Sequence, residues 1–341
     1  MSQKAPRITD VARLAGVSTA TVSRALSKPE TVAESTRDAV LEAARESGYR
    51  VNLSARNLRR QRTGAIVILV PDLGNPFFSR ILSGIEEGLA KADLNMLVVD
   101  TRQARVKPHM VTNYLHASRA DGIIALDGSL PDGVLSATLS DTDSPPIIFA
   151  CEWTPSDRFP SVRVDNERGA RLAISHLADL GHRSIGMVRG PHANVLTGAR
   201  STGAQAELSD RGLVLDAAHV FDGDFSIESG ARAANLWLDL PDRPTAMFCQ
   251  SDQMALGFIS ELARHGLSTP EHVSVVGFDD IDIARRFIPA LTTVHQPRTA
   301  LGLAAAEILI RRVEARDDNG SEPSILDVEL IARDSTRAFE G

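Results

Sequence analysis

From residue 64 onward, short apolar runs rich in β-branched residues alternate with longer stretches of helical periodicity. The clearest runs lie at 65–71, 94–100, 122–126, 146–150, 184–188, 245–250 and 273–278. Alternating strands and helices predict βαβ units and parallel sheets. The runs are apolar at nearly every position, which indicates strands that are covered on both faces of the sheet. We therefore predict a large α/β body.

Length and composition exclude several classes of protein. A chain of 341 residues is too long for one compact core, and its 43% apolar and 24% charged content is typical of globular proteins. No apolar run approaches the roughly 20 residues that span a bilayer, and no secretory signal follows Met1, so we expect a cytoplasmic protein. Cys151 and Cys249 lie in apolar runs without metal-ligand spacing, which predicts buried free thiols and no metal site.

Charge is distributed unevenly along the chain. Residues 1–63 contain 12 Lys/Arg and 6 Asp/Glu, whereas the remainder contains 25 and 38, so the two parts carry net charges of +6 and −13. A basic segment joined to an acidic body indicates nucleic-acid binding. An ordinary charged arm would give the same imbalance, so the residue pattern of the segment has to decide.

That pattern predicts three short helices. Thr9 can cap the first helix, Gly16 allows a tight turn, and Ser18 can cap a second helix over 19–26. A third helix is predicted over 35–47. Two helices joined by a short turn that contains glycine form a helix-turn-helix unit, and its second helix enters the major groove of DNA.

The exposed face of the second helix has side chains that can read base edges. Arg24 can donate two hydrogen bonds to O6 and N7 of a guanine. Methyl groups of Thr19 and Ala20 can pack on a thymine methyl, and the hydroxyls of Thr21 and Ser23 can bond phosphates or base edges. A small protein-binding module is the alternative, but these helices are too short and too basic for a partner groove. The DNA contacts predicted in this head are Thr9, Ser18, Thr19, Ala20, Thr21, Ser23 and Arg24.

The next segment, 51–63, links the basic head to the body. Residues 52–60 can form two helical turns capped by Asn52, a length that is marginal in isolation. Packed on DNA against a second copy, such a helix would neutralise phosphates with its arginines and wedge Leu58 between base steps in the minor groove. A solvated basic linker is the alternative. The DNA contacts predicted here are Asn52, Ala55, Arg56, Leu58 and Arg59.

Motifs along nearly the whole chain resemble the LacI/GalR family of transcription regulators. In the head and hinge they are residues 8–26, Thr36-Arg37, Gly48-Tyr49 and residues 55–58; in the body they are Asn75-Pro76-Phe77-Phe78, Val164-Asp165-Asn166, Gly181-His182-Arg183, residues 251–257, Gly277-Phe278-Asp279-Asp280, residues 291–297 and residues 333–337. Residues 17–26, 70–72 and 223–225 resemble most the cytidine-repressor branch. Val51 departs from the family because many members carry proline there, which makes the start of the hinge helix less rigid.

The resemblance implies a domain organisation. It implies an all-α helix-turn-helix head over 1–50, a hinge over 51–63, and a two-lobed α/β core like periplasmic binding proteins, with parallel sheets, over 64–341. This core would bind an effector and form a homodimer. Lobe 1 would comprise about 64–162 and 293–322, and lobe 2 about 163–291 and 323–341, with crossovers near 162, 292 and 322.

Ligands of parallel α/β sheets bind beyond the carboxyl ends of the strands. Asp72 follows the first strand run, Cys151 and Glu152 follow the fourth, and Arg200 opens the helix after 184–190. Charged and amide groups there can bond ligand hydroxyls, and aromatic rings can cover a sugar or a base. Asp72 and Cys151 are predicted on this ground, and the resemblance implies the other effector contacts, which are Phe77, Phe78, Arg200, Phe225, Ser251, Asp279 and Gln296.

Structural roles are the alternative for several of these residues. Arg200 and Asp279 could form only a salt bridge between the lobes, and Phe77 could simply be core. Asp165 and Asp252 match family positions that are more often structural. His182 is expected to be a turn residue and not a metal ligand.

The sequence as a whole predicts a DNA-binding repressor that a small polar effector controls. The family resemblance favours a sugar as effector, and the branch resemblance gives a nucleoside as the alternative. An enzyme is disfavoured because no phosphate loop, nucleophile elbow or metal-ligand spacing is found, and no cofactor is expected. A solute-binding protein is disfavoured by the head and by the missing export signal. We expect a dimer on a pseudo-palindromic DNA operator, since 330–341 lacks a leucine heptad for tetramers.

Overall fold

The computed structural model describes residues 6–49, 62–102, 120–130, 135, 144–154, 159–315 and 322–340. The chain divides into two compact units, Met1–Thr63 and Gly64–Gly341. Among the described residues no helix is both long enough and apolar enough to cross a membrane.

The described residues of the first unit form helices and turns and no strand. It contains α1 (Ile8–Leu14), α2 (Thr19–Ser27), a 3₁₀ turn (Pro29–Thr31) and α3 (Glu34–Ser47). Gly16 and Gly48 adopt φ values of 66° and 67°, a conformation that glycine reaches without a Cβ penalty, and these residues set the turn before α2 and the end of α3. The small core consists of Val11, Ala12, Val22, Ala25, Val40 and Ala43.

The start of α1 differs from the prediction. Arg7, and not Thr9, is the N-cap residue, and its backbone N–H donates to the carboxylate of Asp10 over 2.9 Å. Thr9 lies inside the first turn and is exposed. The prediction that Thr9 caps this helix is wrong because the acidic residue at the third helical position satisfies the amide of the residue before Ile8.

The second unit alternates strands and helices, as the apolar runs predict. Its strands are β1 (Ala65–Val70), β2 (Asn95–Asp100), β3 (Gly122–Ala125), β4 (Ile147–Ala150), β5 (Ser161–Val164), β6 (Ile185–Arg189), β7 (Val220–Asp222), β8 (Ala246–Cys249), β9 (Ser274–Asp279), β10 (Thr292–His295), β11 (Ser324–Leu326) and β12 (Glu329–Ile331). Its helices are α4 (Phe77–Ala90), α5 (Asn166–Asp179), α6 (Val195–Asp210), α7 (Ile227–Leu238), α8 (Asp252–Arg264) and α9 (Arg298–Ala315), with a 3₁₀ turn at Ala217–His219.

Within the described residues these strands form two six-stranded sheets. Lobe 1 has the order β2-β1-β3-β4-β5-β11 and lobe 2 the order β7-β6-β8-β9-β10-β12. Neighbouring strands are parallel except for β12, which pairs antiparallel with β10. In each sheet the order reverses beside the first strand, at β1 and at β6, and ligands of such sheets bind at this switch point. The predicted fold class, a helix-turn-helix head with a two-lobed parallel α/β core, is confirmed.

Within the described residues the chain passes between the lobes three times. The passages follow β5, β10 and β11, because β5 and β11 still pair in the sheet of lobe 1 and β10 pairs in that of lobe 2. They therefore lie a few residues later than the expected positions near 162, 292 and 322. Each crossing strand completes its hydrogen bonds in one sheet before the chain leaves it.

Two helices of lobe 1 approach each other closely through glycine. A Cβ atom at Gly84 of α4 would lie 2.1 Å from the carbonyl oxygen of Thr299, and one at Gly302 of α9 would lie 2.1 Å from that of Ile81. No side chain fits either position without displacing backbone. This contact fixes the first turns of α9 against the middle of α4, around Ile81 and Gly84.

Candidate functional site

The head presents one exposed helical face. Ser18 caps α2, as predicted, by accepting a hydrogen bond from the backbone N–H of Thr21 over 3.1 Å. Val22 and Ala25 are buried, and Leu26 is half-buried. The opposite face exposes Thr19, Ala20, Ser23 and Arg24, and Thr21 lies half-buried at its edge.

Arg24 differs from other arginines of the head in its surroundings. Arg13, Arg37 and Arg45 lie 3.9, 3.4 and 2.8 Å from carboxylates of their own helices. In the described part of the head no carboxylate pairs with Arg24, whose Nε makes one long contact of 3.5 Å with the carbonyl of Ala20. Its guanidinium is therefore available to an external acceptor. The hinge residues Asn52, Ala55, Arg56, Leu58 and Arg59 lie outside the described residues.

The body has a cavity at the carboxyl ends of its strands, with about 340 Å³ of empty space between the lobes. Lobe 1 contributes Asn75, Phe77, Phe78, Cys151 and Glu152, and lobe 2 contributes Leu196, Arg200, Phe225, Ser251 and Asp279. The structure thus brings seven of the nine residues predicted to contact an effector to one cavity.

Arg200 and Asp279 form the charged centre of this cavity. Arg200 is 2% exposed; its Nε donates to Asn166 Oδ1 over 2.9 Å, and its guanidinium lies 3.8 Å above the Phe278 ring. Its Nη1 lies 3.8 Å from Asp279 Oδ1. Both residues belong to lobe 2, so the alternative of a salt bridge between the lobes is wrong. Arg200 also does not open its helix, because α6 begins at Val195 under the cap of Asn194.

Burial controls the protonation of the acidic groups. It raises the pKa of Asp279 to about 6, although Arg200 and Arg298 act in the opposite direction. Burial, followed by the charge of Asp279, raises the pKa of Asp252 well above its usual value. Burial and Glu152 raise the pKa of the Cys151 thiol, so this cysteine is a poor nucleophile.

Three cavity residues have backbones that non-glycine residues rarely adopt. Cys151, Phe225 and Asp279 have φ values of 71°, 65° and 125°. Such conformations cost about 1–3 kcal/mol each and persist only where the surrounding structure enforces them. They lie just after β4, after β7 and at the end of β9, where they turn side chains toward the cavity. The site is therefore preorganised by its backbone.

Two hydrogen bonds join the lobes at the rim of the cavity. Asn194 Nδ2 donates to Glu152 Oε1 over 2.9 Å, and Gln253 Nε2 donates to Asn75 Oδ1 over 3.0 Å. A salt bridge of 2.8 Å between Arg80 and Asp282 adds a third polar contact. The lobes are thus in contact around the site.

Two of the nine predicted effector residues do not line the cavity. Asp72 is half-exposed, and its carboxylate accepts from the Gly74 N–H over 2.7 Å and pairs with Arg102 over 2.9 Å. It lies at the start of the loop after β1, whereas the cavity begins at Asn75, and this corrects the prediction for Asp72. Gln296 is buried behind the cavity, where its Nε2 donates to Asp279 Oδ1 over 2.7 Å.

Asn75, Glu152 and Leu196 also line the cavity, although the predicted effector contacts did not include them. Asn75 and Glu152 carried a signal, since Asn75 begins the motif that contains Phe77 and Glu152 follows β4. Leu196 carried none, because an aliphatic residue in the first turn of a helix is common. Its orientation depends on the cap at Asn194, whose Oδ1 accepts from the Leu196 N–H over 2.8 Å.

The residues expected to be structural have structural contacts. Asp165 caps α5 by accepting from the Arg168 N–H over 2.9 Å. Asp252 accepts from the Ile281 N–H over 2.8 Å and from the Thr293 hydroxyl, so it braces the ends of β9 and β10. His182 lies in the turn before β6 and contacts the hydroxyls of Thr245 and Ser274. Cys151 and Cys249 are buried free thiols, as predicted.

The chemistry of the cavity is that of non-covalent binding. It combines a buried cation and carboxyl groups with three aromatic rings, which can bond hydroxyl or N–H groups and cover a flat ligand face. Within the described ranges no group of three or more His, Cys, Asp or Glu is placed to hold a metal ion. A helix-turn-helix head joined to such a ligand-binding core defines a class, the ligand-responsive DNA-binding proteins.

Comparisons with known proteins place the chain within that class. Residues 7–52 match the family described as bacterial regulatory proteins, lacI family, and residues 174–336 match the periplasmic binding protein-like domain. The chain is 38% identical to the HTH-type transcriptional repressor CytR of Escherichia coli K12, with 99% of this chain and 98% of that protein covered. It is 35% identical to the repressor PurR of Photobacterium profundum, with 97% and 98% covered.

A solved structure of a transcriptional repressor has the same fold as this chain. The Lac repressor bound to ONPG in its repressed state superposes with a TM-score of 0.81 at 29% identity, covering 98% of this chain and 100% of that one. The chain belongs to the lacI family of bacterial regulatory proteins, and it is a DNA-binding transcriptional regulator.

Proposed function

We propose that this chain represses transcription as a homodimer on a pseudo-palindromic operator, and that a small polar molecule in the cavity between its lobes controls its operator affinity. The observation that carries the proposal is the cavity itself, because residues of both lobes line it around the buried Arg200 and Asp279. A ligand held by both lobes can change how they are arranged. The proposal assigns the chain no catalytic reaction and a place in the cytoplasm, where operator DNA is found.

The DNA-reading part of the proposal rests on the exposed face of α2. In the family's geometry, helix α2 lies in the major groove, where Arg24 reads a guanine and Thr19 and Ala20 meet a thymine methyl. Ser18 and Thr9, at the starts of α2 and α1, would meet phosphates in this proposal. In a dimer the two recognition helices would read half-sites about one helical turn apart.

The hinge supplies the second contact with DNA in this proposal. Asn52 to Arg59 would form a short helix on the operator, paired with the same segment of the partner copy. Leu58 would enter a central base step from the minor groove while Arg56 and Arg59 neutralise phosphates. By family resemblance that central step is CpG.

The cavity supports a sugar as the first candidate effector and a nucleoside as the second. Phe77, Phe78 and Phe225 can cover the apolar face of either ligand. Arg200, Asp279 and the other polar lining groups can bond ring hydroxyls, and the same groups can bond the edge of a base. The relatives CytR and PurR are both named as repressors.

The effector part is tested by thermal unfolding of the full chain against sugars, sugar phosphates, nucleosides and purines. A ligand present at a hundred times its dissociation constant stabilises the folded state by about 2.7 kcal/mol. A shift of the midpoint by one compound class identifies the effector class. The absence of any shift across the panel would count against a small-molecule switch in this cavity.

The DNA part is tested by selecting bound sequences from random duplexes with the purified chain. The proposal predicts a two-fold symmetric consensus with half-sites about one turn apart. A consensus without symmetry, or no enrichment at low salt, would contradict a dimeric repressor.

A further inference from the structure

A second cavity, open to solvent and with about 780 Å³ of empty space, adjoins the effector cavity at the junction of the lobes. It shares no lining residue with the effector cavity. Arg80 and the start of α9 belong to lobe 1, and the loop after β9 belongs to lobe 2. The lining residues are Arg80, Asp280, Ile281, Asp282, Arg285, His295, Gln296, Pro297, Arg298, Thr299 and Ala300.

The side chains that line this cavity include more arginines than free carboxylates, so positive charge is in excess. Arg80 and Arg298 share one carboxylate, that of Asp282, at 2.8 and 3.6 Å. The second carboxylate, that of Asp280, is already paired with Arg333 over 2.6 Å and lies 2.9 Å from His295 Nδ1. Among the described residues no carboxylate lies within salt-bridge distance of Arg285, although its charge helps to lower the pKa of Asp282.

The start of α9 adds backbone donors to these side chains. Residues 297–300, around the first turn of this 18-residue helix, line the cavity. Pro297 has no N–H and the Arg298 N–H donates to the Gln296 carbonyl over 2.7 Å, so the amides offered to a ligand are those of Thr299 and Ala300. Amide N–H groups of a first helical turn have no carbonyl partner within the helix, and the helix dipole favours negative charge there. Arginine side chains and such amides together match the tetrahedral oxygens of a phosphate group.

Gln296 gives an independent indication of a ligand. It is 1% exposed and lines this cavity, and its Nε2 donates a hydrogen bond to Asp279 Oδ1. Its Oε1 is buried and has no hydrogen-bond partner in the described part of the structure. An unsatisfied buried acceptor costs free energy, so a ligand hydroxyl that donates to it would be bound favourably.

We propose that this second cavity binds a small phosphate monoester that also carries hydroxyl groups. Its phosphate would meet Arg285, Arg80 and the amides of α9, and a hydroxyl would donate to Gln296 Oε1. The site does not depend on the identity of the effector or on DNA binding. Because Gln296 also donates to Asp279, one side chain links this site to a lining residue of the effector cavity.

The test is isothermal titration of the full chain with glycerol 3-phosphate, inorganic phosphate and glycerol. Glycerol 3-phosphate is expected to bind more tightly than inorganic phosphate, and glycerol is expected not to bind. Arg285→Gln should weaken the binding of both phosphate compounds about tenfold, since a charge-assisted hydrogen bond is lost. Arg286→Gln is the matched control, because Arg286 is exposed and does not line the cavity.

A second variant separates the hydroxyl from the phosphate. Gln296→Leu removes the free acceptor, so glycerol 3-phosphate should lose its advantage over inorganic phosphate. The proposal is overturned if neither phosphate compound binds the unaltered chain, or if Arg285→Gln and Arg286→Gln reduce binding equally. Equal binding of glycerol 3-phosphate and inorganic phosphate to the unaltered chain would overturn the assignment of Gln296.

Discussion

At the scale of single residues, the buried carboxyl of Asp279 should have a measurable effect on how the stability of the chain depends on pH. Its folded pKa of about 6 exceeds the usual 3.8, so the folded chain binds this proton more tightly than the unfolded chain does. The resulting stabilisation is complete below pH 3.8 and is lost as the pH rises through about 6. Burial also raises the pKa of Asp252, and the charge of Asp279 raises it further. Because the two carboxyl groups interact, they titrate as a pair.

Asp279→Asn is expected to flatten the dependence of stability on pH between about 4 and 6. The pKa difference corresponds to a change on the order of 2–3 kcal/mol in the free energy of unfolding. Urea unfolding at a series of pH values measures it. Asp282→Asn is the control, because Arg80 lowers the pKa of that exposed carboxyl and its contribution is lost only at lower pH. An unchanged slope in Asp279→Asn would contradict the assignment.

Arg24 is the residue expected to contribute most directly to base specificity in operator binding. Arg24→Ala should cost about 1–3 kcal/mol of operator binding and relax the preference at one base pair. Selection from random duplexes with the variant measures both effects. Arg13→Ala removes the same charge from an arginine that is 76% exposed and paired with Asp10, so it should leave base preference intact. If Arg24→Ala keeps the full preference at every position, Arg24 is not a base-reading residue.

Residue roles were predictable from sequence where local chemistry decides them. The Ser18 cap needs only a hydroxyl three residues before a free amide, and the aromatic pair Phe77 and Phe78 follows a recognisable strand. Asp72 was misplaced because its distance from the cavity depends on the path of the loop after β1. Leu196 was missed because only the three-dimensional position of α6 makes it a lining residue.

At the scale of elements, the contact of α4 with α9 connects the effector cavity to the second cavity. Phe77 at the start of α4 lines the first, and the start of α9 lines the second. Arg298 joins them, since its Nη1 donates to the Phe77 carbonyl over 3.2 Å. The close glycine contacts hold the first turns of α9 against α4.

Gly302→Ala should therefore destabilise the chain. Its Cβ would lie 2.1 Å from the carbonyl oxygen of Ile81, and such overpacking costs about 1–3 kcal/mol. Gly198→Ala in α6 is the matched control, because a Cβ there meets nothing within 4 Å and alanine favours a helix by up to about 1 kcal/mol. Urea unfolding should move the two midpoints in opposite directions. Equal midpoints would contradict the close packing.

Elements with long apolar runs were predictable to within about two residues, as β1 and β9 show. The short strands β11 and β12 were not predicted from the sequence, because a run of three residues shows little periodicity. Both strands lie at sheet edges. The crossover positions were misplaced for a related reason. Where a strand leaves its sheet depends on hydrogen bonds with strands far away in sequence.

At the scale of the whole molecule, the lobes of the body meet through polar contacts that a ligand can reinforce or break. The Glu152–Asn194 and Asn75–Gln253 hydrogen bonds lie at the edge of the effector cavity. A ligand shifts an equilibrium only by its difference in affinity for the two states. An effector that needs the lobes apart would release these bonds, and one that fits between them would strengthen them.

The most direct test of ligand-controlled DNA binding is the operator dissociation constant of the purified chain, measured by fluorescence anisotropy with and without a saturating amount of the compound that shifts thermal unfolding. Coupling between the two sites predicts a change of at least about fivefold. Phe225→Ala, which removes one aromatic wall of the cavity, should still bind the operator but lose most of this response. An operator affinity that stays the same at saturating ligand would contradict the regulatory role of the cavity.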